Sequence, residues 1–302
     1  MRFSHFLRTF VLMNQRKQEL SILIPTYNSQ CVDLVKRLLQ LCQNTELTFE
    51  IIVADDGSED TSANESINLL PHCTYIVKDK NEGSAATRNF LARQSHHEWL
   101  LFLDSDISIM QEDFIKRYLS CNYHSDLING GINVDGCHPD NIRWRYEKDA
   151  ELCHNAISRQ KQGYKEFRTT NFMIRRDVML RIPFDERFTA SGYEDVFYGK
   201  QLEQANVSIL HIDNPVTMTS FEDNETFMKK TERNLRTLYR FRNELQDYSG
   251  IITWSSRLIP SCFWRFIFRH MQKRLRQHLC SQEPNLFIYN LYRLGYFLSI
   301  KE

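Results

Sequence analysis

From Leu20 onward the apolar positions switch repeatedly between a strand pattern and a helical one. "LSILIPTYN" is a β-branched apolar run stopped by Pro25 and Asn28, and "VDLVKRLLQLCQ" after it spaces its apolar residues as a helix does. The unit then recurs. "FEIIVADDGSEDTS" predicts a strand followed by the helix "ANESINLLP", "CTYIVKD" a strand followed by "GSAATRNFLARQS", and "EWLLFLDSD" a strand followed by "QEDFIKRYLSC". Strands alternating with helices predict an α/β fold, a mainly parallel sheet with helices on both faces. In such sheets ligands bind outside the carboxyl ends of the strands. The polar signals fall at those ends: Thr26 to Asn28, Asp55 to Ser58, and Asp104 to Asp106.

The middle of the chain is less regular. "LINGGINV" and "FRTTNFMIRRDVM" predict strands, "YEDVFYGKQLEQAN" a helix, and "VSILHIDNPVTMTSF" a final strand or two. Beyond Phe221 the character changes to a long charged helical stretch, "DNETFMKKTERNLRTLYRFRNELQD". Between Asp247 and Glu283 there is no acidic residue, while Arg257, Arg265, Arg269, Lys273, Arg274 and Arg276 are interleaved with Trp254, Phe263, Trp264, Phe266 and Phe268. The chain thus divides into an N-terminal amphipathic segment (1–18), an α/β domain (19–222) and a helical extension (223–302).

Composition narrows the function. At 302 residues the chain can hold one large α/β domain plus an extension. Basic and acidic residues balance at 38 each, so no nucleic-acid partner is expected. Eight scattered cysteines without a C-x-x-C pair argue against a zinc knuckle or a disulfide scaffold and fit reduced thiols in the cytoplasm. "MRFSHFLRTFVLM" at the start is interrupted by Arg8 and lacks a small-residue cleavage site, unlike a signal peptide. No window reaches about 18 uninterrupted apolar residues, so no transmembrane helix is predicted.

Candidate chemistry starts with "LFLDSDISI". An ionised carboxylate at the mouth of a buried strand is costly unless it is paired or binds a cation. Asp104 and Asp106 offer hard oxygen ligands suited to Mg²⁺ or Mn²⁺, which complete their shells with substrate phosphates and water. A solvated turn is the commoner meaning of a bare D-x-D. A third reading is the nucleophile motif of haloacid-dehalogenase-like phosphohydrolases, with Asp104 phosphorylated, Asp106 as the acid and Ser108 near its place. That family usually carries the motif on its first strand, whereas three predicted strands precede it here.

The company of the motif decides among these. "IPTYN", "VADDGSEDT", "NEGSAATRN" and "DSD", in this order and spacing, with "ASGYEDVFYGKQL" further on, closely resemble the family 2 glycosyltransferases of the GT-A fold over about residues 20–220. The resemblance implies an inverting transferase moving a sugar from a nucleotide-sugar donor, a UDP-sugar, to a hydroxyl of a glycan or lipid-linked acceptor in surface polysaccharide synthesis. It implies that Pro25, Thr26 and Tyr27 shape the pocket beside the base. Asp56 would accept the uracil N–H with Asp55 at the same rim, Gly83 would let the backbone approach the ligand, and Arg88 would offer donors to base, ribose or phosphate. Asp104 and Ser105 would meet the nucleotide sugar, Asp104 and Asp106 the metal (Mn²⁺ or Mg²⁺). Asp195 would be the base and Glu194 would orient the acceptor. Taken alone, "DDGS" is an ordinary Asx-type turn, and "YED" an acidic first helical turn favoured by the helix dipole.

One departure stands out. Many relatives carry a histidine soon after the last core strand as a further metal or diphosphate contact; here that place holds Thr217 and Met218, and a thioether is a weak ligand for a hard cation. His211, inside an apolar run, is expected to be a packed strand residue. The missing histidine is also the one support for a non-catalytic homologue that binds nucleotide sugars without turnover. The basic, aromatic stretch 254–278 has two readings: a surface helix touching anionic lipid at the inner face of the plasma membrane, or helices packed on the catalytic domain with the arginines solvated.

Overall fold

The computed structural model describes residues 19–121, 125–189, 192–257 and 261–300. The N-terminal amphipathic segment expected over 1–18 lies outside the described residues. In chain order the elements are β1 (Glu19–Thr26), α1 (Val32–Gln43), β2 (Thr48–Asp55), a 3₁₀ helix (Ser62–Leu69), β3 (Cys73–Val77), α2 (Ser84–Gln94), β4 (Trp99–Leu103), β5 (Ile107–Ser108) and α3 (Phe114–Leu119). They continue with β6 (Leu127–Asn129), β7 (Ile132–Val134), α4 (Ile142–Cys153), α5 (Ala156–Gln162), β8 (Asn171–Arg175), α6 (Arg176–Arg181), α7 (Glu194–Gln204), β9 (Ile209–His211) and β10 (Val216–Met218). Four helices follow: α8 (Asn224–Arg240), α9 (Gly250–Arg257), α10 (Ser261–Leu279) and α11 (Leu286–Ser299).

A seven-stranded sheet runs β3-β2-β1-β4-β8-β6-β9, with a three-stranded sheet β5-β10-β7 beside it. Strands β1 to β4 are mutually parallel, so the carboxyl ends carrying Thr26, Asp55 and Asp104 emerge at one edge. The chain moves outward from β1 through β2 to β3, then returns to place β4 on the other side of β1. That reversal opens a crevice between β1 and β4, where a ligand is expected. The predicted α/β class holds, but the sheet is mixed: β8 runs antiparallel to both β4 and β6.

Several segments differ from their sequence pattern, each for a local reason. "ANESINLLP" winds as a 3₁₀ helix; Asn64 is buried there and spends its side chain on Cys31 N–H and the Ser29 carbonyl, side-chain bonds that compete with regular helix. "LINGGINV" breaks into β6 and β7, which belong to different sheets. The break falls at Gly130-Gly131, where Gly131 has φ +93° and a Cβ would sit 2.6 Å from Arg159 Nη2. "FRTTNFMIRRDVM" supplies one short strand, β8, followed at once by α6. The helices α4 and α5 were not legible at all, because their apolar residues show no clean stripe.

Each face of the sheet is covered by its own apolar cluster. Ile22, Ile24, Ile51 and Val53 pack toward α1, whereas Leu23, Ile52, Leu100 and Phe102 point to the opposite side. This second cluster runs on without a break into Met228, Leu235 and Leu238 of α8, Phe268 and Leu279 of α10, and Tyr289, Tyr292 and Phe297 of α11. The C-terminal helices therefore pack on the α/β domain, as one of the two readings held. Their outer face stays apolar and basic: Trp254, Phe263 and Phe266 remain more than half exposed, and Arg269, Lys273 and Arg274 are exposed with them.

In that packing Gly295 lies directly against the buried Phe268 ring, and a Cβ there would collide with its Cδ2. Gly295→Ala is expected to lower stability by about 1–3 kcal/mol through overpacking. A urea unfolding curve with an unshifted midpoint would refute close packing of α10 on α11.

Candidate active site

Helix α2 begins at the crevice, and its first turns tie the strand ends together. Gly83, immediately before it, has φ +93°, and a Cβ would meet the Thr189 carbonyl oxygen at 2.7 Å. The close backbone approach expected at Gly83 is therefore made to Thr189. Asp56, buried at the end of β2, accepts from the Gly83 N–H at 2.7 Å, the Glu82 N–H at 3.0 Å and Lys78 Nζ at 2.7 Å. Three of about four lone-pair positions on its carboxylate are thereby used. Asp55 accepts from the Tyr75 hydroxyl at 2.7 Å and the Ser58 N–H at 2.7 Å, closing the Asx-type turn that the motif resembled. Of the two, Asp55 keeps more acceptor capacity, while Asp56 is the fastener of the 78–83 loop.

Thr26 is buried at the end of β1 with its hydroxyl on the Ser29 carbonyl, and Tyr27 stands exposed at the rim beside half-buried Pro25. Arg88, one turn into α2, is 4% exposed and joins two carboxylates from distant parts of the chain. Its Nη2 lies 2.7 Å from Asp104 Oδ1 and its Nη1 3.9 Å from Glu194 Oε1. Its Nε and Nη1 are buried and meet no hydrogen-bond acceptor among the described residues. Sequence reasoning placed Arg88 on the ligand; the structure places it first between the two acids.

Glu194 opens α7. Its Oε1 accepts from the Ser84 hydroxyl at 2.9 Å and its Oε2 from the Gly192 N–H at 2.6 Å. Burial and then the charge of Asp195 push its carboxyl up, with Arg88 pulling back. Tyr193 before it holds a left-handed conformation, φ +69°, which is costly for a residue with a Cβ and typical of site residues held by their surroundings. Asp195 accepts from the adjacent Val196 N–H, and its Oδ2 lies 3.6 Å from Arg168 Nη1.

Asp106 and Asp195 line one cleft of about 490 Å³. Its walls hold residues the sequence motifs did not flag: Arg143, Tyr146 and Glu147 of α4, Arg168, Glu222, Lys230 of α8, and Tyr289 and Arg293 of α11. No sequence signal marked them, because they come from helices and loops without a motif and from the C-terminal extension. Ser84, which bonds to Glu194 outside this cleft, does sit inside the recognised "GSAATRN". Glu222 receives both Arg143 and Lys230, the latter at 2.9 Å. Asp106 also borders a second cleft with Ser105, Ser108 and Thr219, on the α1 side.

Desolvation by the cleft walls, then the neighbouring Asp104 charge, push the Asp106 carboxyl up; Arg143 and Lys230 partly offset them. Two like charges one residue apart are the situation a divalent cation relieves, and the pair suits Mg²⁺ or Mn²⁺ that draws its other ligands from phosphate and water. Among the described residues no three His, Cys, Asp or Glu side chains converge on one point. Met218 is buried in β10, opposite Ile107 in the antiparallel pairing. His211 is a packed strand residue, as expected: its Nδ1 lies 3.0 Å from Arg159 and its Nε2 3.0 Å from the Gly163 carbonyl, and burial lowers it to about 4.

This crevice, a D-x-D at the β4 end and an acidic helix start facing it, defines a glycosyltransferase of the GT-A class. The glycosyl transferase family 2 model matches residues 21–183, more than half of the chain, and the protein belongs to that family. Glycosyltransferase AglE of Haloferax volcanii is 26% identical over 63% of this chain and 62% of its own length. The poly(ribitol-phosphate) beta-glucosyltransferase of Bacillus spizizenii is 25% identical over 76% of this chain and 40% of its own. The chain thus spans less than two-thirds of either relative. Among solved structures, the mannosyltransferase PcManGT of Pyrobaculum calidifontis, in complex with GDP-Man and Mn²⁺, has a TM-score of 0.54 at 12% identity, over 80% of this chain and 71% of that one. Family membership disfavours the phosphohydrolase reading. So does the position of Asp104, after three earlier strands and held by Arg88.

Asp56 generates a direct test. Its ion pair with Lys78 is buried on both sides, so Asp56→Ala is expected to cost about 3–5 kcal/mol. Denaturant unfolding checks this; a loss under about 1 kcal/mol would remove Asp56 from the role of loop fastener.

Proposed function

We propose that the protein is an inverting transferase that moves a sugar from a UDP-sugar donor to a hydroxyl of a glycan or lipid-linked acceptor. The observation that supports this best is the shared cleft: Asp106 at the donor edge and Asp195 opposite line the same space. In this reading the base and ribose lie across the ends of β1 and β2, with Thr26, Tyr27 and Asp55 beside them. Asp56 acts through the loop it holds. Asp104, Ser105 and Asp106 face the sugar diphosphate. A divalent cation on Asp104 and Asp106 would neutralise charge on the departing diphosphate. Met218 would add little to that cation, because a thioether is a poor ligand for it.

A sugar hydroxyl is a weak nucleophile at neutral pH, so a positioned carboxylate must take its proton as it attacks. Asp195 does this, oriented by Val196 N–H and Arg168. Attack from the side opposite the nucleotide inverts the anomeric carbon. Glu194, its Oε2 fixed by Gly192 and its Oε1 by Ser84, orients the acceptor hydroxyls. The relatives' names support a sugar-polymer setting, and the neighbour's GDP-Man and Mn²⁺ support a nucleotide-sugar donor with a metal.

The outer face of the C-terminal helices supports a second part of the reading, contact with an anionic membrane surface. Phe263 and Phe266 lie three positions apart on α10, and exposed Arg269, Lys273 and Arg274 follow on the same helix. None of the described helices is long and apolar enough to cross a membrane.

Three measurements test these readings. Asp195→Asn is expected to bind UDP with Mn²⁺ as the wild type does and to lose transfer by about 100-fold or more, whereas Asp106→Ala weakens Mn²⁺-dependent UDP binding in calorimetry. Normal transfer by the first variant refutes the base, and unchanged binding by the second removes Asp106 from the metal site. Wild-type UDP binding without turnover of any acceptor would make the protein a binding homologue. For the membrane, the protein should co-sediment with phosphatidylglycerol vesicles at low salt and much less with phosphatidylcholine; equal recovery with both would sink the electrostatic contact.

A further inference from the structure

The cleft that holds Asp195 is closed on one side by the C-terminal extension, and the cation there is unlike its neighbours. Four cations line the cleft, and three have carboxylates: Arg143 and Lys230 share Glu222, and Arg168 faces Asp195. Arg293 of α11 has none within ion-pair distance among the described residues. Its charge is met by tyrosine rings instead, with its guanidinium carbon 5.5 Å from the centroid of Tyr146 and 5.4 Å from that of Tyr289. Its side-chain hydrogen bond goes to Asn290, at 3.3 Å, and Tyr193, the strained residue that precedes the Glu194-Asp195 pair, lines the same cleft. A guanidinium has five N–H donors, so most of its capacity is unused.

Charge balance points the same way. Four carboxylates line the cleft beside the four cations. With Asp106 committed to a divalent cation, the remaining walls carry one surplus positive charge, and Arg293 is the cation without a pair. A cation held against aromatic faces is stabilised there without being neutralised, so it stays available to an incoming anion. The donor's own diphosphate is assigned to the Asp104–Asp106 edge. The surplus on the far wall is left for the acceptor.

We propose that Arg293, with Tyr193 beside it, forms an anion subsite that holds a phosphate group of the acceptor while Asp195 deprotonates the acceptor hydroxyl. This rests on the cleft being the acceptor site, as argued above. Phosphate fits better than carboxylate because donors on three elements line this cleft: Arg293 on α11, Tyr193 at the start of α7, and Lys230 on α8. A phosphate brings three free oxygens and up to two negative charges to such a set, whereas a carboxylate brings two oxygens and one charge. The phosphate belongs either to a polyol-phosphate chain or to a lipid-linked head group. Arg293 is thus a specificity-determining residue, and it explains why the extension must pack on the catalytic domain.

Calorimetry in the presence of UDP and Mn²⁺ tests this with glycerol 3-phosphate, farnesyl phosphate and methyl glucuronoside as probes. One of the two phosphates should bind the wild type and lose at least about tenfold in affinity in Arg293→Gln, with part recovered in Arg293→Lys. UDP affinity should be unchanged in both variants. Tighter binding of glycerol 3-phosphate assigns the polyol chain, and tighter binding of farnesyl phosphate the lipid head group. Equal or tighter binding of the glucuronoside, no binding of either phosphate, or full phosphate binding by Arg293→Gln overturns the subsite. Wild-type protein gives a check that requires no variant: the bound phosphate should slow phenylglyoxal modification of Arg293, mapped by mass spectrometry, and an unchanged rate also overturns it. Loss of UDP binding by the wild type would instead refute the donor reading, and leaves the phosphate titration interpretable by itself.

Discussion

One buried guanidinium organises the site. Arg88 sits on the first turns of α2 and reaches Asp104 at the end of β4 and Glu194 at the start of α7. Those two acids are 90 residues apart in sequence and belong to opposite halves of the crevice. A buried arginine without a carboxylate, or either carboxylate without the arginine, would carry an uncompensated charge in low-dielectric surroundings. The three groups therefore hold one another in place. Nη1 has no hydrogen-bond acceptor among the described residues, so its 3.9 Å contact with Glu194 acts through charge alone.

The rest of the crevice is built so that α2 can present Arg88. Asp56 pins the loop before the helix through Gly83 and Lys78, and Ser84 bonds to Glu194. Gly83 must be glycine because Thr189 crosses it too closely for a side chain. Asp56 thus fixes the backbone geometry of the loop that leads into α2. On the far side of the sheet the buried Arg159 does comparable work without a carboxylate: it donates to the carbonyls of Asn129, Gly130, His154 and Ile212. That network joins β6 to β9 and fixes the bend at Gly131.

The C-terminal extension helps to form the cleft that holds Asp106 and Asp195. Its inner face shares the apolar cluster of the sheet and supplies Lys230, Tyr289 and Arg293 to the cleft wall. Its outer face keeps exposed aromatics and cations together. One stretch thus lines the Asp106–Asp195 cleft with one face and exposes aromatic and basic side chains on the other.

The sequence by itself determined the βα units and the strand ends that carry the chemistry, because a buried parallel strand must be an apolar run and a polar group at its end is conspicuous. The four motifs, "IPTYN", "DDGS", "GSAATRN" and "DSD", were legible for that reason, and so was "YED" at a helix start. His211 was legible as a core residue from its apolar neighbours alone. Tertiary structure decided what those residues do to one another. No spacing rule predicts that Arg88 bridges Asp104 and Glu194, or that Asp56 spends its oxygens on the backbone of residues 82 and 83. Nor could a pattern place β8 antiparallel between β4 and β6, since register is set by packing of both faces at once. The cleft wall was hidden for the same reason. Arg143, the stretch from Glu222 to Lys230, and Arg293 are far apart in the chain, and only the fold of α4, α8 and α11 brings them around one cleft.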